Sequence, residues 1–367
     1  MKVRLLIFAF AGVLFGQSPV RMSPFEAARH ELSVSFIRVP KPEMPAVMLE
    51  VLVSKRGQVV NATVLGGRAD DVDAAEKVIR ASQYKPFMQD GQAVDAIVEA
   101  WVFVLPLEQL PTEHKSFPRV IDWSTVRFRL TRSGCFGSCP SYEVEIQGDG
   151  TVTYTGLRDV AVIGIHKGSI ARPALEALLT RFRDADFFSF DPKYALNASD
   201  GATYTTSSMI EGQEHSVADY MGSEAGMPIV ISHLEQAVDE YAGVDRWVRG
   251  NRETIPALRL EGFDFKSQEA GRVLAHVARR GDADAVRDLI NSGAPLDVPD
   301  PGMFLQEMPL RAAVSNRDVE VMRLLIEAGA SKNHAKTKNE AAELARRIDR
   351  QDVLAMLLKY GARLGAK

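Results

Sequence analysis

Cysteine is nearly absent from this sequence: 367 residues hold two, Cys135 and Cys139, four positions apart. Two sulfurs cannot by themselves fill a tetrahedral zinc shell. The C-x-x-C of a thioredoxin-type centre and the C-x-x-C-H of haem attachment are both missing. Histidine is thin as well, with 7 scattered residues and no H-E-x-x-H. No G-x-S-x-G, no Walker loop and no G-x-G-x-x-G after a strand is found, which removes the usual signatures of hydrolases, nucleoside triphosphatases and dinucleotide enzymes. Charge of one sign is lacking too: 44 Lys and Arg stand against 48 Asp and Glu, with no long run of either. That composition leaves no electrostatic footprint for nucleic acid. Past residue 15, no apolar run reaches the roughly 20 residues a membrane-spanning helix needs.

What is present begins with MKVRLLIFAFAGVLFGQSP. Lys2 and Arg4 give a basic start, Leu5 to Phe15 an apolar core, and Gly16 and Ser18 small residues for cleavage. This order predicts a signal peptide over 1–18 and hence an exported, periplasmic protein. The alternative is an inner-membrane anchor formed by an uncleaved signal. No cysteine follows the run, so lipidation of the mature N-terminus is not expected.

The remainder falls into three segments. In the first, 40–108, VMLEVLVSKRGQVVNATVLGG alternates apolar and polar residues about a turn at Lys55-Arg56-Gly57. DDVDAAEKVIRASQ carries Ala74, Val78 and Ile79 at helical spacing, with Asp70 and Asp71 where carboxylates suit a helix start. YKPFMQDGQAVDAIVEAWVFVLP returns to strand after a turn at Asp90-Gly91. The predicted order is ββαβ. These stretches resemble the C-terminal domain of TonB-type energy transducers. The resemblance implies a domain that docks partner proteins by pairing sheet edges. It departs in placing the domain first, with no Pro-rich arm before it, so docking rather than energy transduction is what carries over.

In the second segment, 117–248, TVRFRLTRSG reads as a strand and SYEVEIQGDGTVTYTG as a hairpin closed by Asp149-Gly150. RPALEALLTRFRDADFFSF has apolar residues at 174, 175, 178, 179 and 182, a helical stripe. ATYTTSSMIEGQEHSVADY gives two more strands and MPIVISHLEQAVDEYAG a closing helix. An antiparallel sheet with covering helices is predicted. The motifs R-x-G-C-F-G-x-C-P-x-Y (Arg132 to Tyr142) and G-D-G-x-V-x-Y-x-G (Gly148 to Gly156) resemble an uncharacterised bacterial domain family of unknown function.

Both cysteines lie in the first of those motifs. Exported thiols this close are expected to form a disulfide, with Gly134 and Gly137 freeing the loop that closes it. A thiol-active pair is the alternative, and a metal site completed by His166 or His215 a further one.

The third segment, 264–367, repeats. VLAHVARRGDADAVRDLINSGAPLD, PLRAAVSNRDVEVMRLLIEAGASKN and EAAELARRIDRQDVLAMLLKYGARL align on V-x-x-L-[LI]-x-x-G-A. Gly293, Gly329 and Gly361 are 36 and 32 residues apart, bracketing a 33-residue period. With Met308-Pro309-Leu310 at the entry of the second unit, the segment resembles about three ankyrin repeats, an all-α solenoid. The first unit lacks that entry, and Arg317 and Asp349 replace the glycine of the inner turn. Met303, Phe304 and Leu305, in a long connection between units, are candidate binding residues, with inward packing the competing reading. His276 reads as a repeat-face residue.

The expected protein is therefore α+β and multi-domain: a small ββαβ domain, an antiparallel sheet with covering helices, then the solenoid. Its expected role is a non-enzymatic binding or scaffold protein of the bacterial cell envelope, with protein partners and no cofactor, catalytic residue or metal. No small-molecule substrate is identified. The alternative is a thiol-active or hydrolytic enzyme centred on 117–248, with Cys135, Cys139 and Asp200 as its candidates.

Overall fold

A computed structural model describes residues 19–22, 27, 30–32, 35–89, 92–300, 307–316, 318–332 and 334–365. The predicted signal (1–18), the Asp90-Gly91 turn, Arg317, and Met303, Phe304 and Leu305 lie outside them. The chain forms two compact units, one ending at Glu108 and one beginning at Gln109. Among the described residues no helix is long and apolar enough to cross a membrane.

The first unit is a five-stranded sheet covered by a helix. Its strands are β1 (Val20–Arg21), β2 (Phe36–Val39), β3 (Ala46–Val53), β4 (Val59–Gly66) and β7 (Ala96–Pro106); β5 (Phe87–Gln89) and β6 (Gln92–Val94) form a separate small hairpin. Strict alternation along β3 sends Val47, Leu49, Val51 and Val53 into the core while Met48, Glu50 and Leu52 stay partly exposed. Helix α1 (Ala69–Ala81) closes that core with Ala75 and Ile79. The carboxylates at its start do not cap it: Asp70 pairs with Arg68 at 2.8 Å, and Asp71 is buried in the first turn. The β3–β4 hairpin turns at Gly57, whose φ is +79° and whose Cα lies too close to the Tyr84 carbonyl for any side chain.

In the second unit a seven-stranded sheet runs in the order β11-β10-β9-β8-β13-β14-β12. The strands are β8 (Arg127–Arg132), β9 (Ser141–Gln147), β10 (Thr151–Arg158), β11 (Gly164–Ser169), β12 (Lys193–Ala195), β13 (Thr203–Ile210) and β14 (Gln213–Tyr220). All neighbours are antiparallel except β12 with β14. The Asp149-Gly150 turn closes β9 on β10, with the Asp149 carboxylate accepting from the Thr151 amide at 2.8 Å. Helix α2 (Arg172–Asp184) buries Leu175, Leu178 and Phe182, three positions of the stripe read from sequence. Helix α3 (Ile229–Ala242) buries Ile231, Leu234, Ala237 and Val238.

Two short helices, α4 (Asp245–Val248) and α5 (Thr254–Leu260), lead into three helix pairs: α6 (Gln268–Arg280) with α7 (Ala283–Asn291), α8 (Pro309–Ser315) with α9 (Val319–Glu327), and α10 (Ala335–Arg347) with α11 (Gln351–Lys359). Each pair ends alike. Gly293, Gly329 and Gly361 have φ near +90° (95°, 93° and 87°), and the next alanine amide reaches back to Leu289, Leu325 or Leu357. That is the six-to-one bond of a Schellman cap, which only glycine accepts without strain. Asp349 takes the left-handed conformation at the inner turn of the third pair, with φ +54°.

The sheet and the repeats share one continuous core from Val126 to Ala362. Trp247 is fully buried and stacks on Tyr154 of β10 at 5.0 Å between ring centres. Gly250 follows with φ +76°, and a Cβ there would stand 2.5 Å from Val277 of α6. His166 of β11 and Glu261, just past α5, add a 2.6 Å polar bond across the same junction.

Candidate functional site: a polar row beneath the closing helix

The covered face of the central sheet is largely apolar, with the buried hydroxyls of Thr206 and Ser208 within it, and becomes charged at one end. Cross-strand register sets Tyr142 (β9), Arg132 (β8), Tyr204 (β13) and Asp219 (β14) in a single row. Two residues further along the strands, the equivalent row is Val144, Leu130, Thr206 and Val217, all buried. Period-two alternation keeps both rows on the face that α3 covers, so the polar row must be satisfied beneath a helix.

Helix α3 supplies the partners from Glu235 and Asp239, one turn apart. The Arg132 guanidinium donates to Asp239 at 2.7 Å, and the Tyr142 hydroxyl donates to both oxygens of the same carboxylate at 2.9 Å. Arg132 also lies over the Tyr204 ring, 4.2 Å from its centre. Asp219 accepts from the Gly222 amide at 2.6 Å. Glu235 is 3% exposed, and its Oε1 has no hydrogen-bond partner among the described residues.

Burial raises all three carboxyls. Glu235 is pushed up to about 8 by desolvation, with the Asp219 charge adding to it and Arg132 opposing. Desolvation also lifts Asp239 and Asp219, again against Arg132. A single guanidinium thus faces three buried acids, and Glu235 is raised far enough to keep its proton at neutral pH.

A cavity of about 490 Å³ opens beside this row, lined by Arg132, Tyr204, Asp219 and Glu235. Its lining includes Cys135, Cys139 and Asp200, so the three candidates of the enzyme reading do come together. The structure pairs Cys135 with Cys139, their Cα atoms 5.5 Å apart. The paired loop is held by the Phe136 amide on the Asp200 carbonyl at 3.1 Å and the Ser133 amide on the Thr203 carbonyl at 2.9 Å. The histidines stay away from the sulfurs: His166 is bonded to Glu261, and His215 packs on Phe187 and Phe188. His276 is buried in the repeats, 3.2 Å from Asp300. Among the described residues no group of three His, Cys, Asp or Glu side chains is arranged to hold a metal.

Arg132 and Tyr142 stand in the cysteine motif, yet sequence reading assigns them no role. Glu235 and Asp239 carried a usable signal, since they fall on the stripe of Ile231, Leu234 and Val238 that α3 turns inward.

Two further surfaces are open to partners. In the first unit, β1 and β2 pair in parallel with the two ends of β7, so the chain itself occupies much of that edge. At the opposite edge β4 pairs only with β3 among the described strands, and Val60 and Leu65 on it are more than half exposed, 59% and 52%. In the repeats, a groove along α8 and α10 is lined by Arg311, Lys336, Glu340, Glu343 and Arg347.

Comparison with known families divides the chain in the same order. Residues 46–105 match the Gram-negative bacterial TonB protein C-terminal domain, 126–242 a domain of unknown function (DUF6438), and 250–367 ankyrin repeats in 3 copies. No curated protein matches the chain. The TonB-type and ankyrin segments point to protein–protein interaction, and the TonB-type segment to the cell envelope. The polar row lies within the segment whose family has no assigned function.

Proposed function

We propose that this protein is an exported, non-enzymatic scaffold of the bacterial cell envelope that docks protein partners through its TonB-like sheet edge and its ankyrin groove. The observation that carries the reading is β4: eight residues of edge strand, open on one side among the described strands, with Val60 and Leu65 exposed. A long apolar edge invites aggregation unless a partner strand covers it. The ankyrin groove offers a second, charged surface. The periplasm is the proposed location, with Cys135 and Cys139 oxidised there to a disulfide, and an uncleaved inner-membrane anchor is the alternative. The competing reading, a thiol-active or hydrolytic centre in the middle segment, draws on the convergence of Cys135, Cys139 and Asp200 at one cavity.

Photo-cross-linking in the intact cell tests the docking surfaces. A photoreactive residue placed at Asn61 on β4 or at Arg347 in the groove is expected to give discrete protein adducts. The same residue at exposed Glu176 on α2 is expected to give none. Equal smears from all three positions, or no adduct from either docking surface, would overturn the scaffold reading. Rapid disulfide exchange by folded protein with a small thiol would favour the enzyme reading instead.

A further inference from the structure

Two buried atoms around the polar row make no hydrogen bond among the described residues, Nε of Arg132 and Oε1 of Glu235, and only the second is an acceptor. Glu235 is 3% exposed, its Oε1 makes no hydrogen bond among the described residues, and its side chain lines the cavity of about 490 Å³. A buried polar atom left unbonded loses its hydration without a return, so such atoms in native proteins have a function or a missing partner. The cavity suggests which. Asp200, Asp219, Glu224 and Glu235 line it against Arg132 alone. The Arg132 charge is shared between Asp239 and the Tyr204 ring, with its Nε unbonded among the described residues. What remains uncompensated is negative, and the volume lies in the range of small-molecule sites, roughly 300–1,000 Å³. No described group of three ligating side chains would hold a metal ion.

We propose that this cavity is a binding site for a small organic cation, a primary ammonium or guanidinium group that pairs with the Glu235 carboxylate. The site goes beyond the scaffold reading and stands or falls separately from it, because neither docking surface contributes to it. The Cys135–Cys139 loop and the segment around Asp200 line the cavity too, and the Phe136–Asp200 bond holds them together.

Binding carries a proton with it. Burial holds the Glu235 carboxyl up at about 8 in the free protein, so at pH 7 an entering cation displaces the carboxyl proton to solvent and takes its place beside Oε1. The charged and titratable groups around Glu235 and its cavity are Asp219 from β14, Arg132 from β8, Tyr204 from β13, Asp200 from the segment before β13, Glu224 from the turn after β14, and Asp239 from its own helix. None of these is a free cation that would compete with the ligand.

Calorimetry on the full chain with butylamine, methylguanidine and, as the anionic control, butanoate tests the proposal. Both cations are expected to bind below about 10 mM with release of up to one proton at pH 7. Their affinity should rise up to about tenfold per pH unit as pH climbs towards 8. Glu235→Gln, nearly isosteric, is expected to fold and to lose at least about tenfold in affinity, with no proton released. If that variant does not fold, Asp219→Asn, which removes the adjacent charge, is expected to weaken binding several-fold. Neither cation binding, butanoate binding as well as butylamine, or affinity unchanged in the folded variant would each overturn the site.

Discussion

The two sheets of this chain share an inner-face logic and part company at their limits. In the first unit β3 presents Val47, Leu49, Val51 and Val53 to the core, an apolar face without interruption, and the open feature is an edge, β4. In the second, both edges are short strands, β11 of 6 residues and β12 of 3, so there is little backbone to template a partner. There the exception lies inside the covered face, where the row through Tyr142, Arg132, Tyr204 and Asp219 is polar. One sheet thus offers backbone at its border, and the other offers side-chain chemistry beneath a helix. The first arrangement suits strand pairing with a protein, and the second suits a small ligand.

The largest expected effect tests whether the second unit is one cooperative body. Leu325 of α9 is fully buried, and truncating such a leucine costs about 2–5 kcal/mol. The core continues from α9 through α6 and Trp247 to β10, so Leu325→Ala is expected to lower hydrogen-exchange protection of β8, β9 and β10 along with the repeats. Protection of β3 and β7, which belong to a separate core, is expected to stay at the wild-type level. If β8–β10 remain protected while the repeats open, the continuous core does not couple them, and the unit divides energetically near residue 250.

A smaller effect separates the apolar face from the polar one by pH. Glu235 has an ordinary value near 4.5 and a folded value of about 8, so between those limits the native state holds a proton that the unfolded chain has released. Its contribution is full below about pH 4.5 and is lost as pH rises through 8. The second unit should therefore lose stability from pH 5 to pH 9, and Glu235→Gln should remove a large part of that loss, on the order of 1–3 kcal/mol at the alkaline end. Some slope should survive the substitution, because Asp219 and Asp239 are raised in the same sense. The first unit also carries an acid raised by burial, Glu31, so the test is the difference that Glu235→Gln makes within the second unit. Denaturant melts at the two pH values, read from the second unit, check this, and equal slopes for wild type and variant would break the assignment.

How much of this was legible follows from the range over which each signal acts. Local signals read well: the Lys55-Arg56-Gly57 and Asp149-Gly150 turns, the stripe of α2 and the three Gly-Ala caps are properties of a few consecutive residues. Strands β1 and β12, of 2 and 3 residues, are too short to carry a period, and β11, GIHKGS, has none. They exist because a neighbouring strand offers a ladder, which is a tertiary fact. The polar row was illegible for the same reason. Arg132, Tyr204 and Asp219 are far apart in sequence, and only the register of three strands sets them side by side. The two acids on the buried stripe of α3 were the exception, a local conflict between pattern and residue type of the kind that marks functional sites.

The smallest effect concerns the rim of the polar row. Cys135 and Cys139 close a loop of five residues, for which the chain-entropy estimate is only about 2 kcal/mol. The loop is also held by the Phe136–Asp200 and Ser133–Thr203 backbone bonds, which involve neither sulfur. Cys135→Ala, Cys139→Ala and the double variant are therefore expected to destabilise the second unit by the same amount, about 2 kcal/mol or less, because each removes one and the same constraint. A reductant should lower the wild type to that level and leave the variants unchanged. The first unit has no cysteine and should not respond at all. Thermal melts of the four proteins with and without reductant check this. Two free thiols in folded, exported wild type, or a double variant clearly worse than either single, would show that the sulfurs act as separate groups and would return the thiol-active reading to the front.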